Sequence, residues 1–439
     1  MYILPILRQG IGMMISFEKL GLTPAILNGI KSSGFTVPTP VQVEAIPYVL
    51  TGQDLMVSSH TGSGKTAAFI LPALQSIISI KKNLKGSPTK SVLTLVLTPT
   101  RELAQQIASA AALYGKNIPG LHISTVVGGT PYRTQLKALS RRVDLLVATP
   151  GRLIDHIKSN RVKMDHVKTF ILDEADRMLD MGFIEDIKLI VQHLPKKRQT
   201  LLFSATLDGD VTKLISHIME NPRQIELTNQ KQKHENITQI LLYADDSAHK
   251  KQLLSYILSK NTVNQAIVFT STKRGADTLT DYLLDQGFSV AALHGDMNQR
   301  QRTRTLSKLQ RRQFRILVAT DIAARGIDVE GLSHAVNFDL PMQAEDYIHR
   351  IGRTGRAGRN GSAITLAMHS ERHKIKRIEN YIGQTISSEI IVGLEPKNFP
   401  KKGNKIGYKI KSFPKSRKRT FSNSFSQKNQ KIYKGNNSS

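Results

Sequence analysis

Cysteine is absent from the 439 residues. The absence removes disulfides, iron–sulfur clusters, thiolate zinc sites and a cysteine nucleophile in one step, and it fits a reducing compartment. Acidic side chains are scarce. Asp and Glu number 34 against 62 Lys and Arg, a formal net charge of +28. Solubility needs far less, so the imbalance asks for an anionic partner, and nucleic acid leads over a membrane surface or an acidic protein. Long apolar runs are also missing. Ala67–Ile80 has 14 residues and includes Gln75 and two serines, too short to span a bilayer. Residues Met1–Met13 lack the basic-apolar-small order of a secretory signal. A cytoplasmic protein without a membrane partner is therefore expected, with Met14 a second candidate start. Hydrophobic residues make up 40%, which excludes wholesale disorder.

What is present is alternation. In the first half, β-branched apolar runs fall at Asp54–Ser58, Val92–Thr98, His122–Val127, Asp144–Thr149, Thr169–Asp173, Thr200–Ser204 and Gln224–Leu227. In the second they fall at Thr238–Tyr243, Ala266–Thr270, Val290–Leu293, Arg315–Thr320, His334–Phe338 and Ser362–Leu366. Helical patterns lie between them. Runs such as Leu93–Leu97 are apolar at successive positions, as strands buried on both faces are, so parallel sheets covered by helices are expected. The halves repeat one another. Val96–Arg101 answers Val268–Arg274, Leu146–Thr149 answers Leu317–Thr320, and Gly129 answers Gly295, at offsets of 172, 171 and 166 residues. Two α/β domains of one type follow. Expected boundaries are an extension over 1–15, a first domain over 16–228, a polar linker over 229–236, a second domain over 237–392 and a tail over 393–439. Pro396–Ser439 holds 13 Lys and Arg, no Asp or Glu, and six spaced aromatics. That composition reads as a disordered basic arm suited to single-stranded nucleic acid.

In an open parallel sheet, ligands bind beyond the carboxyl ends of the strands. Three polar signatures bear on that rule. Ser59-His60-Thr61-Gly62-Ser63-Gly64-Lys65-Thr66 follows the strand Asp54–Ser58 and precedes a helix over Thr66–Ile80. Its glycines let successive N–H groups face a phosphate at a helix N-terminus. Lys65 would reach the β- and γ-phosphates of ATP, and Thr66 would hold Mg²⁺. Asp173-Glu174-Ala175-Asp176 stands at a strand tip. An acid-rich helix start explains it equally well alone. With a phosphate loop upstream, Asp173 reads as a Mg²⁺ ligand and Glu174 as the group that takes a proton from water. His349-Arg350-Ile351-Gly352-Arg353-Thr354-Gly355-Arg356 is a basic loop in the half that has no phosphate loop. One nucleotide site and one arginine loop imply a site shared across a cleft.

These motifs, in this order, resemble the DEAD-box RNA helicases, superfamily 2 ATPases with two RecA-like domains. The resemblance covers about Ser16–Val392, and the short basic tail is similar to that of bacterial members. Gly34–Gln42 resembles the family's Q motif, which implies that Gln42 reads the adenine edge while Phe17 stacks on the base. Ser59 and His60 depart from the family's Ala and Gln; Thr61, Gly62, Ser63, Gly64, Lys65 and Thr66 match. Ser204-Ala205-Thr206 resembles the motif that couples hydrolysis to unwinding, with Asp176 as its partner. Asp328 would contact ribose, and Arg353 and Arg356 would be the fingers on the γ-phosphate. The RNA groove is implied by Pro99, Thr100, Arg101, Glu102, Gly128, Gly129, Thr149, Gly151 and Arg152 in the first domain. In the second it is implied by Thr270, Arg274, His294, Gly295, Gln299–Arg302 and Thr320. None of these presents a base-reading helix, so little sequence preference is expected.

The resemblance implies an RNA-dependent ATPase that binds single strands and short duplexes with ATP and Mg²⁺. A clamp or annealing chaperone and a DNA translocase are the rivals; the acid tetrapeptide and Gln42 argue against the second. No coiled-coil heptads are present, which favours a monomer. Ribonucleoprotein or RNA-decay partners suit such an enzyme, with ribosome assembly, messenger decay and cold adaptation as open pathways.

Overall fold

The computed structural model describes residues 16–59, 62–83, 91–207, 209–227, 236–324, 332–355 and 360–397. The expected N-terminal extension, most of the linker and residues 398–439 of the tail lie outside these, as do His60, Thr61, Asp328 and Arg356.

Among the described residues, fourteen strands form two seven-stranded parallel sheets. The first sheet uses β1 (Leu55–Ser58), β2 (Thr94–Leu97), β3 (Ile123–Val126), β4 (Leu145–Ala148), β5 (Thr169–Asp173), β6 (Gln199–Ser204) and β7 (Arg223–Glu226). The second uses β8 (Ile237–Ala244), β9 (Ala266–Phe269), β10 (Val290–Leu293), β11 (Ile316–Ala319), β12 (His334–Asn337), β13 (Gly361–Met368) and β14 (Ser387–Glu389). The spatial orders are β3-β4-β2-β5-β6-β1-β7 and β10-β11-β9-β12-β13-β8-β14. Subtracting seven from each number of the second order gives the first. The repeated sequence segments sit at matching places: Val96 on β2 and Val268 on β9, Leu146 on β4 and Leu317 on β11.

The continuous apolar runs are explained by a core on each sheet face. Ile171, Leu201 and Phe203 join one cluster with the helices Pro40–Leu50 and Lys65–Asn83. Their neighbours Phe170, Leu172 and Leu202 point the other way, into a second cluster. Successive side chains alternate across a strand, so both parities must be apolar when both faces are covered. In the second domain Val268 and Val318 feed one cluster, and Ile267, Phe269 and Leu317 feed another. Among the described residues, no helix is long and apolar enough to cross a membrane.

Candidate nucleotide and RNA site

The turn between β1 and the helix Lys65–Asn83 is built from small residues for steric reasons. Gly62 and Gly64 have φ of 83° and 94°, a region that favours glycine. A Cβ on Gly64 would also stand 2.6 Å from Gln42 Nε2 and 2.8 Å from Thr39 Oγ1. Gln42 ties this turn to the helix Pro40–Leu50. Its Oε1 accepts from Thr39 N at 3.0 Å, and its Nε2 donates to Gly64 O at 3.1 Å. Lys65 is buried, and its Nζ donates to Ser59 O at 2.7 Å. Ser59 is buried too: its hydroxyl lies 3.0 Å from Ser63 Oγ, and its N–H donates to Ser204 O. Phe17 packs in the first-domain core, only 5% exposed.

The acid motif stands at the carboxyl end of β5. Asp173 is buried, and its pKa is raised to about 7; burial is the main cause, Lys65 opposes it, and Glu174 adds to it. Asp173 Oδ1 accepts from Glu174 N at 3.0 Å. Glu174 caps the helix Ala175–Asp180 with a left-handed backbone, φ 53°. Its Oε2 accepts from Arg177 Nη1 at 3.1 Å. Asp176 closes a knot with β6: its Oδ2 accepts from Ala205 N at 2.9 Å and Thr206 N at 3.2 Å, while its N–H donates to Ser204 Oγ at 3.3 Å. The structure therefore brings Ser59, Lys65, Asp173, Glu174, Asp176, Ser204 and Thr206 to one end of the first sheet. Thr66 is in the first turn of the helix that Lys65 begins.

Among the described residues, the second domain meets the first in two regions. Asp176, Arg177, Asp180, Ala205 and Thr206 share a cavity of about 30 Å³ with Gln343, Glu345, Asp346, His349 and Tyr381. Elsewhere Arg302 Nε donates to Glu102 Oε1 at 2.8 Å, both side chains at least nine-tenths buried. Gln299 Oε1 lies 3.5 Å from Arg101 Nη1.

The arginine motif divides. The sequence reads as a basic loop at a shared cleft, but His349 and Arg350 close the helix Ala344–Ile351, and Arg350 is 2% exposed. It donates from Nε and Nη2 to the two oxygens of Asp321 at 2.6 and 2.7 Å, and from Nη1 to Asn337 Oδ1 at 3.2 Å. Arg350 is thus a strut inside the second domain. Arg353 lines a cavity of about 750 Å³ with Arg312, Arg315 and Ser333, all of the second domain. Its neighbour Thr354 anchors the turn by donating to Leu332 O at 2.7 Å.

The residues implied for the RNA groove form a cluster in each domain. Arg101 lies flat on the turn Gly128-Gly129, where a Cβ on Gly129 would overlap its guanidinium. Thr100 caps the helix Arg101–Tyr114 by accepting from Leu103 N; Pro99 precedes it. Arg152 donates from Nη1 to Thr130 O at 3.1 Å and lies over the Tyr132 ring. Thr149 and Gly151 begin the helix Pro150–Lys158, on which Arg152 also lies. In the second domain Thr270, His294 and Thr320 follow β9, β10 and β11 directly. Thr270 Oγ1 donates to Asp339 Oδ2, His294 Nε2 pairs with Asp277 Oδ1 at 2.9 Å, Gly295 lies against Lys273, and Arg274 is exposed. An open groove of about 920 Å³ separates Gly129–Pro131 from Asn298–Arg304.

Sequence reasoning did not find the Arg302–Glu102 pair, the Arg350–Asp321 strut or Arg177. The first two join distant segments, and no spacing rule links them. Arg177 had a signal: it follows Glu174 by three residues, the spacing of neighbours on a helix.

Comparison with known proteins agrees with these motifs. Residues 39–214 match the DEAD/DEAH box helicase family, and residues 249–358 match the helicase conserved C-terminal domain. The ATP-dependent RNA helicase SrmB of Haemophilus influenzae is 38% identical over 391 residues, covering 89% of this chain and 88% of that protein. The DEAD-box ATP-dependent RNA helicase RhpA of Helicobacter pylori is 40% identical over 371 residues, 84% and 73% of the two chains. Among solved structures, Dbp5 of S. cerevisiae bound to RNA and ADP BeF3 is similar at a TM-score of 0.76 and 31% identity, covering 85% of this chain and 95% of that one.

Proposed function

We propose an ATP-driven remodeller of RNA duplexes, on the premise that this chain belongs to the DEAD-box family of ATP-dependent RNA helicases. The triphosphate enters the turn Ser59–Lys65, and the Lys65 ammonium exchanges the Ser59 carbonyl for the β- and γ-phosphates. N–H groups of the turn and the helix N-terminus receive the remaining charge. Gln42 faces the adenine, with Phe17 beside it, and Asp328 takes the ribose.

Thr66 and Asp173 would hold Mg²⁺. Both offer hard oxygen donors, and the buried Asp173 carboxyl, raised to about 7, is a group whose ionised form a divalent cation would favour. The ion neutralises phosphate charge when bound. Glu174 orients water and takes its proton as the water oxygen bonds to the γ-phosphorus and the bond to the β,γ-bridging oxygen breaks. Arg353 and Arg356 reach the γ-phosphate when the domains close, a role that raises hydrolysis by about 10³–10⁵.

RNA lies across both domains on Arg101, Arg152, Thr270, Arg274 and Thr320 and the backbone near Gly129, Gly151 and Gly295, with Pro99, Thr100, Thr149 and His294 shaping the groove. Small residues and backbone amides suit sugar and phosphate contact. ATP and RNA both favour the closed form, and closure holds one strand in a bend that a duplex cannot share. Hydrolysis loosens the grip. Asp176, Ser204 and Thr206 carry the coupling. The observation that supports this most is the shared cavity: Asp176 and Thr206 meet His349, on the helix that leads to Arg353.

A strand-displacement assay tests the reading. ATP-dependent release of the shorter strand from a duplex with a single-stranded overhang is expected. ATP and RNA binding without release would make the chain a clamp or annealing chaperone instead.

A further inference from the structure

Arg177 follows the acid tetrapeptide directly and has no part in the reaction described above. It is buried, and it bonds on one side only. Nη1 donates to Glu174 Oε2 at 3.1 Å, within an ion pair whose side chains are 3% and 12% exposed. Nη2 is buried with no hydrogen-bond partner. A guanidinium nitrogen out of water and unpaired is costly, and a native structure that keeps one calls for an explanation, a functional role among them.

The surroundings indicate what that arrangement is. Arg177 lines the small cavity between the domains, and the opposite wall carries Glu345 and Asp346. These two carboxylates form the acidic first turn of the helix Ala344–Ile351. Arg177 therefore stands between a carboxylate of its own domain and an acidic wall of the other. Glu174 is held in a left-handed backbone, φ 53°, and Arg177 is the ion-pair partner of its carboxylate. The guanidinium is a rigid planar fork. Drawing one nitrogen toward the second domain must turn the other, and with it the Glu174 carboxylate.

We infer that Arg177 is a positioning residue that links domain docking to the base: the acidic turn Glu345–Asp346 sets Arg177, and Arg177 sets Glu174. The inference rests on Glu174 being the base. It makes water activation depend on the second domain through a path separate from the arginine fingers, and separate from the contacts of Asp176 with Ala205 and Thr206.

The test is steady-state ATPase of the full chain with saturating single-stranded RNA, for R177K, E345Q/D346N and the triple variant. R177K keeps the charge and loses the fork. It is expected to lower kcat by about 10- to 100-fold, the usual cost of a misplaced catalytic group, with KM for ATP and RNA affinity unchanged. E345Q/D346N is expected to lower kcat likewise, and the triple variant no further than R177K alone. Wild-type kcat in R177K, or losses that multiply in the triple variant, would overturn the proposal, as would a rise in KM matching the fall in kcat. Should R177K not fold, E345Q/D346N decides alone: a selective kcat loss upholds the link and a normal kcat refutes it. E174Q separates the two readings, because wild-type turnover in E174Q removes Glu174 as base whatever Arg177 does.

Discussion

At the scale of single residues, the first-domain site holds charge out of water: Lys65 and Asp173 are both buried. Lys65 is buried against the Ser59 carbonyl, which a phosphate oxygen would outcompete, so Lys65→Ala should lower ATP turnover by at least about 10²-fold. Wild-type hydrolysis in that variant would remove the phosphate-cradle reading. Glu174→Gln should slow hydrolysis while ATP-dependent RNA binding persists, measured by fluorescence anisotropy; loss of that binding would make Glu174 a ligand rather than a base. Asp173 contributes a pH dependence of its own. Its pKa in the fold, about 7, lies above the ordinary carboxylate range, so the folded protein holds a proton that the unfolded chain has released. The stability it contributes is present below about pH 4 and is lost as pH rises through about 7. Urea unfolding of the nucleotide-free protein should show that slope, and Asp173→Asn should flatten it. Metal capture has the opposite sign: it needs the carboxylate, so Mg²⁺-dependent ATP binding should strengthen as pH rises through about 7.

At the scale of elements, the strands were legible because two covered faces demand unbroken apolar runs. Thr169–Asp173 and Val290–Leu293 fall where the sequence places them. The helix after the phosphate turn begins at Lys65 and ends at Asn83, longer at both ends than the apolar stretch suggests, because polar residues continue a helix once its buried face is set. Strand β14 escaped notice. Ser387–Glu389 is polar and three residues long, an edge with no apolar pattern to read. The site was legible as motifs at strand ends, and the motifs' mutual contacts were not. Gly64 illustrates the difference: sequence marks it as a turn glycine, but its clash partner Gln42 comes from another element. Gly64→Ala should therefore weaken ATP binding and cost about 1–3 kcal/mol of stability, measured by calorimetry and thermal melting. Unchanged affinity would make the close approach incidental.

At the scale of the whole molecule, one sheet order occurs twice, once with the phosphate-type turn Ser59–Lys65 and once with the arginine motif His349–Arg356. The contacts between them, Arg302 with Glu102 and the cavity at Asp176 and His349, join residues some 200 and 170 positions apart, which no local pattern exposes. The net charge of +28 acts at this scale too. Deleting Pro396–Ser439 should weaken RNA binding and flatten its salt dependence, by about 0.7 log units per phosphate charge no longer neutralised; an unchanged slope would make the tail a solubiliser. The central claim is that one triphosphate pocket is completed only by the second domain. A crystal structure with a non-hydrolysable ATP analogue, Mg²⁺ and a short single-stranded RNA tests it most directly. The account predicts the guanidinium groups of Arg353 and Arg356 within hydrogen-bonding distance of the γ-phosphate; finding both held away from it, with RNA bound across the two domains, would contradict it.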